Sequence, residues 1–357
     1  MKKAFYILAL CALASCACAC KKKVDTPKDA LMQQLLSFAE QGKIAYGHQD
    51  DLPYGHAWKV EDWETDDLER SDIKDVTGHY PLVMGFDLGD IEHGASKNLD
   101  GVPFGLIRKA TLKHIERGGI VTFSWHPDNL LTGGDAWDVS SNKVVEAVLP
   151  GGEKHTEFME WLRRGADFVE SLGNVAIIFR PWHENSGAWF WWGRGLCSSE
   201  EYRALWNMTQ EFVAKALPYN ILWSWSPNYG FEPDELDTYP GNERVDIIGL
   251  DAYQQRGGEE AFISQLNKDL TTLCNMAKKS GKLVALTECG YQNIPDPTWW
   301  TRVLKPQIAK YPISYFLVWR NADRRQYFAP AKNTKDAEDF CKIVKDKRIL
   351  MLNDIIK

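Results

Sequence analysis

The stretch NVAIIFRPWHE, residues 174–184, joins a short apolar run to a group of ionisable residues. The apolar part is rich in β-branched and aromatic side chains and is too short for a typical helix. Strands of parallel sheets are buried on both faces and therefore have continuous apolar runs rather than alternating ones. The stretch predicts a buried parallel strand whose carboxyl end carries polar, potentially functional side chains.

Seven further apolar runs also end in polar residues or glycine: IAYGHQD (44–50), PLVMGFDLGD (81–90), GIVTFSWHPDN (119–129), NILWSWSPN (220–228), VDIIGLDAY (245–253), LVALTECGY (283–291) and ISYFLVWRN (313–321). Segments between them have helical periodicity, notably 105–118, 155–172, 200–217 and 260–281. Eight strands alternating with helices predict an α/β protein, a single (β/α)8 TIM barrel. An open doubly wound sheet is the alternative, but its Gly-rich phosphate-binding turn is missing.

The composition fits a globular protein with an uncharged ligand. Hydrophobic residues make up 44% of the chain and charged residues 25%, which suffices for a large core. The net charge is −7 and the body of the chain has no cluster of Lys and Arg, so we expect no nucleic-acid partner. The 15 Trp residues exceed the usual needs of a core, which favours aromatic surfaces for ligand binding.

Metal and disulfide chemistry are not indicated. HENSG (183–187) begins like the zinc motif H-E-x-x-H, but Gly187 stands where the second histidine would be. The cysteines in the body of the chain have no regular spacing, and a large core does not require disulfides, so we expect free thiols. They are Cys197, Cys274, Cys289 and Cys341. We expect neither a metal nor a cofactor.

The N-terminus has the pattern of an export signal. Lys2 and Lys3 precede an apolar run that is too short to span a membrane, and LASC (13–16) follows it. This pattern resembles a bacterial lipoprotein signal, which implies lipidation of Cys16 and a membrane-anchored, exported protein. We therefore predict a signal peptide (1–16), a tether (17–27) and a catalytic domain (28–357). A plain secretory signal is the alternative.

The barrel prediction places a functional site at the carboxyl ends of the strands. Many polar and aromatic residues lie at those ends: His48, Asp87, His126, His183, Glu184, Asn228, Asp251, Tyr253, Glu288, Trp319 and Arg320. Glu184 follows the fourth predicted strand and Glu288 ends the seventh, so the two carboxyl groups would face each other across the barrel mouth. Glycoside hydrolysis uses two such carboxyl groups, one as proton donor and one to meet the developing positive charge on the sugar.

The motifs that carry these residues also resemble a known family. RPWHENSGAWFWWG (180–193) and LTECGY (286–291), with SWHPDN (124–129) and VWRN (318–321), are similar to those of glycoside hydrolase family 26, the retaining β-mannanases among the (β/α)8 barrels. The resemblance implies that Glu184 is the general acid/base and Glu288 the nucleophile. It also implies that Trp319 lies under the sugar to be cleaved, and that His126 and Arg320 bind hydroxyls on the non-reducing side.

The neighbours of the two glutamates have predicted roles. Tyr253 would donate a hydrogen bond that holds Glu288 charged, and the aromatic residues beside Glu184 would favour its neutral form. Trp189 would stack on the leaving-group sugar, whereas Trp191 and Trp192 would pack the loop against the barrel. We also expect His183 to contribute to substrate binding, although a regular pleat would turn it away from Glu184 unless a bulge or bend intervenes.

The predicted function is hydrolysis of β-1,4-mannosidic linkages in mannan or manno-oligosaccharides by a retaining mechanism, in a monomeric enzyme. Two alternatives stay open: another β-glycan as substrate, such as mixed-linkage glucan or β-1,3-xylan, and a glycan-binding lipoprotein without catalysis. The segment from Pro127 to about Lys154 is long for a loop of this fold. If it walls off distal sugar sites, mannobiose would dominate the products; if it only packs on the barrel, cleavage would be of the endo type.

Overall fold

The computed structural model describes residues 26–255 and 258–355. Its strands are β1 (Ile44–Gln49), β2 (Tyr54–Gly55), β3 (Trp58–Lys59), β4 (Val83–Asp87), β5 (Ile120–Ser124), β6 (Ile177–Arg180), β7 (Ile221–Trp225), β8 (Ile247–Gln254), β9 (Leu283–Tyr291), β10 (Ile313–Val318) and β11 (Ile349–Leu350). Its α-helices are α1 (Pro27–Glu40), α2 (Asp72–Thr77), α3 (Phe104–Glu116), α4 (Val144–Val148), α5 (His155–Ser171), α6 (Ser199–Ala216), α7 (Glu259–Ser280), α8 (Lys305–Ile308) and α9 (Ala337–Val344).

Eight of these strands close into a parallel barrel. The order is β1, β4, β5, β6, β7, β8, β9, β10, and β10 pairs with β1 so that Ala45 lies opposite Tyr315. Each barrel strand coincides with one of the eight predicted runs, with only β8 extending one residue beyond its run, so the (β/α)8 prediction is confirmed and the open sheet is wrong. The short β11 adds to the start of β1, and β2 and β3 form a separate hairpin after β1.

The local sequence explains these elements. Every residue of β4, β5, β6, β7, β9 and β10 is buried, as continuous apolar runs require. The four predicted helices lie within two residues of α3, α5, α6 and α7. Helix α6 begins with a capping box between Ser198 and Glu201, and α7 ends at Gly281, whose positive φ of 68° suits glycine.

The long segment between β5 and α5 divides into two parts. Its second part contains α4, which packs on α5 and α6 with Val144, Val145 and Val148 buried. Its first part lies at the barrel mouth, where Trp137 is exposed. The prediction of one long loop was therefore wrong for the second part, because its apolar residues bury a short helix. Only the first part can border the site.

Two further predictions concern the thiols and the N-terminus. The four cysteines of the described chain are free, which confirms that prediction. Cys16 and the predicted signal peptide lie outside the described residues, and α1 begins at Pro27, where the predicted tether ends. Within residues 26–255 and 258–355, no helix is both long enough and apolar enough to cross a membrane.

Candidate active site

Glu184 and Glu288 line one cleft of about 240 Å³ at the carboxyl ends of the barrel strands. Glu288 lies within β9, and Glu184 follows β6 by four residues. Both carboxyl groups are buried, and the charge of Glu288 is close enough to raise the pKa of Glu184. The structure therefore brings together the two residues that the sequence singled out as a pair.

Glu184 reaches the cleft because the backbone around it is irregular. Trp182 and Glu184 have φ values of 53° and 54°, in the left-handed region that non-glycine residues seldom adopt. Two hydrogen bonds fix this conformation, because the Glu184 amide donates to the Ser226 carbonyl (2.8 Å) and the Tyr202 hydroxyl donates to the Trp182 carbonyl (2.7 Å). Strained residues of this kind concentrate at functional sites, where the surrounding packing holds them.

Two donors hold the carboxylate of Glu288. The Tyr253 hydroxyl donates to Oε2 at 2.7 Å, which confirms the predicted contact, and the Arg180 guanidinium donates to Oε1. Burial, followed by the charge of Glu288, raises the pKa of Tyr253 well above its usual range, so the phenol keeps its proton. Arg180 is buried and also pairs with Asp251 (2.8 Å). Glu288 thus accepts from a cation and a hydroxyl, as an ionised nucleophile would.

Glu184 has the opposite environment. Burial, followed by the charges of Glu288 and Asp251, raises the pKa of Glu184 well above its usual range. The Trp189 indole donates to Oε2 at 2.7 Å, a bond that favours the charged form but does not outweigh these effects. The protonated state that a general acid requires is therefore favoured, as we predicted from the neighbouring aromatic residues.

Aromatic rings border the cleft. Trp189 and Trp319 line it, as predicted, and Trp137, Phe190 and Phe328 join them. Trp137 and Trp189 are 47% and 38% exposed, which is unusual for Trp and leaves their rings free for a ligand. A Cβ at Gly187 would collide with the Trp189 ring, so the residue that removed the zinc motif makes room for this tryptophan.

Trp191 and Trp192 pack inside the protein, as predicted. Both are fully buried, and Trp192 stacks on Phe190 with ring centroids 4.5 Å apart. The Trp191 indole donates to the Pro127 carbonyl, and the Trp192 indole donates to the His183 carbonyl. The aromatic run 189–192 therefore serves two purposes: Trp189 and Phe190 line the cleft, and the buried Trp191 and Trp192 anchor the loop.

This division predicts opposite effects of two tryptophan substitutions. We expect Trp192→Ala to lower the free energy of unfolding by about 3–5 kcal/mol, because it leaves a cavity. Trp189→Ala should change that free energy by less than about 1 kcal/mol, since its ring is partly exposed, while raising KM for a polymeric substrate. Urea unfolding followed by circular dichroism, with steady-state kinetics, checks both. Similar losses of stability in the two variants would contradict the assignment.

His126 and His183 contact each other at the cleft. Their Nε2 atoms are 3.0 Å apart, and His126 Nδ1 lies 2.6 Å from Asp87 Oδ2. His126 lines the cleft, whereas His183 is buried beside it, with Nε2 4.0 Å from Glu288 Oε1. The bend at Glu184 thus keeps His183 near the site, but both ring nitrogens of His126 already have protein partners. Hydroxyl binding by His126 and substrate binding by His183 stay predictions.

Arg320 lies in a neighbouring cavity of about 520 Å³. Its guanidinium pairs with Asp100 at 2.7 Å, and Tyr54 lines the same cavity. Trp319, the preceding residue, faces the cleft, so the end of β10 contributes to both spaces. The predicted role of Arg320 in binding sugar hydroxyls is compatible with this position and stays a prediction.

Some predicted residues lie away from the cleft and some cleft residues were not predicted. His48 is buried against Asp51, and the Asn228 side-chain amide donates to the Tyr229 carbonyl. Trp137 was missed, although it is the only aromatic residue in a polar, Gly-flanked segment. Arg180 was missed although it ends β6, because the sequence does not reveal which partner its side chain reaches.

A (β/α)8 barrel with two facing carboxyl groups and exposed tryptophans at its mouth defines a protein of the glycoside hydrolase class. The model of the family described as Glycosyl hydrolase family 26 matches residues 25–347, and the chain belongs to this family. The family resemblance noted in the sequence is thereby confirmed.

Three similar proteins are named as mannanases or mannosidases. The chain is 44% identical to a GH26 β-mannanase from Bacteroides ovatus of known structure, with a TM-score of 0.88 over 93% of this chain and 97% of that one. A GH26 endo-β-1,4-mannanase catalytic domain from Bacillus sp. JAMB-750 is 27% identical, with a TM-score of 0.82 over 93% and 94%. A mannan endo-1,4-β-mannosidase from Bifidobacterium adolescentis is 33% identical over 70% of this chain, which spans 26% of that protein.

Proposed function

We propose that the protein hydrolyses β-1,4-mannosidic linkages in mannans with retention of configuration. The observation that carries this proposal is the contrast between the two cleft carboxyls: Glu288 accepts from Arg180 and Tyr253, whereas the pKa of Glu184 is raised well above its usual range. One is prepared as a nucleophile and the other as an acid. The substrate class is supported by the relatives, which are named as mannanases.

In the first step, a Glu288 oxygen attacks the anomeric carbon of the sugar while Glu184 donates its proton to the departing glycosidic oxygen. The covalent bond removes the negative charge of Glu288. Because that charge is one cause of the raised pKa of Glu184, the pKa of Glu184 falls in the intermediate. Glu184 then takes a proton from water as the water attacks the same carbon and releases Glu288. Glu184 thus acts first as the acid and then as the base.

The decisive experiment measures reducing sugar released from a panel of soluble mannan, galactomannan, mixed-linkage glucan and β-1,3-xylan. We expect hydrolysis of the mannans, with the β-anomer of the product appearing first by proton NMR. Preferential hydrolysis of the glucan or xylan would overturn the substrate assignment. Binding to mannan without any hydrolysis would leave only the non-catalytic alternative.

Cleavage position depends on the segment that follows β5. Because α4 is buried, deleting the whole segment would unfold more than a loop, so Trp137 offers a cleaner test. We expect mannobiose to dominate the products of the wild type and Trp137→Ala to shift them toward longer oligosaccharides, because an exposed ring that lines the cleft is lost. Chromatography of early products measures this. The same ladder of oligomers from both proteins would show that the segment does not set cleavage position.

We also propose that the protein is an exported lipoprotein anchored through Cys16, on the basis of the N-terminal sequence alone. Cells that express the full chain should incorporate labelled palmitate into the wild type and not into Cys16→Ser. Absence of label in the wild type, or its release into the medium without lipid, would favour the plain secretory signal, and equal labelling of the two proteins would reject Cys16 as the anchor.

A further inference from the structure

A chain of hydrogen bonds runs from the barrel interior to His126, whose ring stacks on an exposed tryptophan. Asp87, at the end of β4, accepts hydrogen bonds from the Gly89 amide (2.8 Å) and the Ser124 hydroxyl (2.6 Å). Its Oδ2 also contacts His126 Nδ1, and His126 Nε2 contacts His183 Nε2 at 3.0 Å. The outer face of the His126 ring lies nearly parallel to Trp137, with a 14° angle between planes and centroids 5.3 Å apart.

The donors and acceptors in this chain restrict where protons lie. Burial opposes the charged form of Asp87, but the neighbouring His126 and the hydrogen bonds to Asp87 outweigh it, so the pKa of Asp87 is lowered. The carboxylate is therefore an acceptor, and His126 Nδ1 carries a proton. Between the two Nε2 atoms, one nitrogen must donate and the other accept. Burial, followed by the charges of Arg180 and His126, lowers the pKa of His183 well below its usual range, so His183 is neutral. The single proton of the neutral His183 ring lies either on Nε2 or on Nδ1, a buried atom with no hydrogen-bond partner among the described residues. With that proton on Nδ1, His126 Nε2 carries the proton of the 3.0 Å contact and His183 accepts it.

The charges around His126 favour this arrangement. Burial opposes a charged ring, but Asp87 in direct contact and Glu288 across the cleft outweigh burial and Arg180, so the pKa of His126 is raised. Burial raises the pKa of Asp100, and the nearby charges of Arg320 and His126 oppose this effect. The remaining neighbours on the cleft side, Phe190 and Trp319, are uncharged rings.

A positive imidazolium over an indole face is an attractive pair, because the ring quadrupole attracts a cation within about 6 Å of the centroid. We propose that Asp87 and His183 are positioning residues that hold a second proton on His126, and that the charged His126 ring fixes Trp137 as a binding platform at the cleft. Trp137 is 47% exposed and lines the cleft, so part of its ring is available to a sugar. Its use by a mannan chain rests on the proposed function.

The raised pKa of His126 determines how substrate binding should depend on pH. Below that pKa the His126 ring is charged and holds Trp137 in place. As the pH rises through that pKa, the ring loses its charge and Trp137 is released. KM for a manno-oligosaccharide should then increase by roughly two- to thirtyfold, the range of cation–π attractions, while kcat changes little. In Asp87→Asn, the loss of the adjacent negative charge lowers the pKa of His126. The midpoint of the increase in KM should therefore occur at a pH lower by about 1 unit or more than in the wild type.

Nuclear magnetic resonance tests the arrangement independently of any activity. In the ¹⁵N-labelled wild type near pH 6, both ring nitrogens of His126 should be protonated, with assignment by comparison with His126→Gln. The Trp137 indole N–H resonance should titrate with the same midpoint as His126. A neutral His126 ring at that pH, or a Trp137 resonance that ignores the His126 titration, would overturn the proposal even if Asp87→Asn fails to fold.

Two matched variants separate charge from packing in the kinetic measurement. Ser124→Ala removes a hydrogen bond to the same Asp87 oxygen but leaves the carboxylate charge, so its KM profile should keep the wild-type midpoint. Trp137→Ala should have a raised KM without the pH-dependent increase. An equal downward shift in Ser124→Ala, or an unshifted profile in Asp87→Asn, would contradict the proposal. Absence of activity on mannans would reject the proposed function, while the resonance titrations still decide the His126 arrangement.

Discussion

Glu288→Ala is expected to abolish hydrolysis of every glycoside, with kcat/KM reduced by a factor on the order of 10⁵ or more. The substitution removes the atom that forms the glycosyl-enzyme bond, and no other carboxylate in the described chain receives both the Arg180 and the Tyr253 hydrogen bonds. Initial rates on mannan and on an aryl β-mannoside measure the loss. Added azide should occupy the vacated space and yield a glycosyl azide of inverted configuration.

Glu92→Gln is a suitable control for Glu288→Ala. Glu92 is also a fully buried glutamate near the barrel mouth and accepts hydrogen bonds from the Trp125 indole and the Asp128 amide, but it does not line the cleft. Its variant should keep most of the activity. A comparable loss in both variants would indicate a general effect of buried carboxyls on folding, and activity in Glu288→Ala near the wild-type rate would exclude it as the nucleophile.

Glu184→Ala is expected to reduce kcat/KM on mannan by roughly 10²–10⁴-fold, the usual contribution of general acid–base catalysis. On an aryl glycoside with an activated leaving group the loss in the first step should be far smaller, since such a leaving group departs without a proton. The test compares kcat/KM on the two substrates in one variant.

Azide also distinguishes the two carboxyls. In Glu184→Ala it should accelerate breakdown of the intermediate and give a glycosyl azide of retained configuration, because the missing base is no longer needed for an anionic nucleophile. Equal losses on mannan and on the activated substrate, or an azide product of inverted configuration, would show that Glu184 is not the acid/base.

Much of the architecture could be predicted because it depends on local patterns. The run 174–184 predicted a buried strand with polar residues at its carboxyl end, and β6 lies within it. Parallel strands bring their carboxyl ends to one edge, so Glu184 and Glu288 could be paired before any coordinates were known. The contact between Tyr253 and Glu288 followed in the same way, since β8 and β9 are neighbours in the barrel.

The limits of prediction also have physical causes. Alternation along a strand gives the face of a side chain only while the pleat is regular, and the left-handed φ values of Trp182 and Glu184 end that regularity just before the catalytic position. The side chain of His183 could therefore not be placed. Helix α4 was missed because five residues give too short a period to distinguish a buried helix from a loop.

The sequence by itself determined the barrel, the two carboxyls and the family, because strand burial, helix periodicity and the order of elements are properties of local runs of residues. Only the tertiary structure decided which side chains touch. The contact of Arg180 with Glu288 and the Asp87–His126–His183–Trp137 arrangement join residues separated by many positions along the chain. Protonation states depend on such contacts, because burial and nearby charges set a pKa, and neither is a property of sequence neighbours.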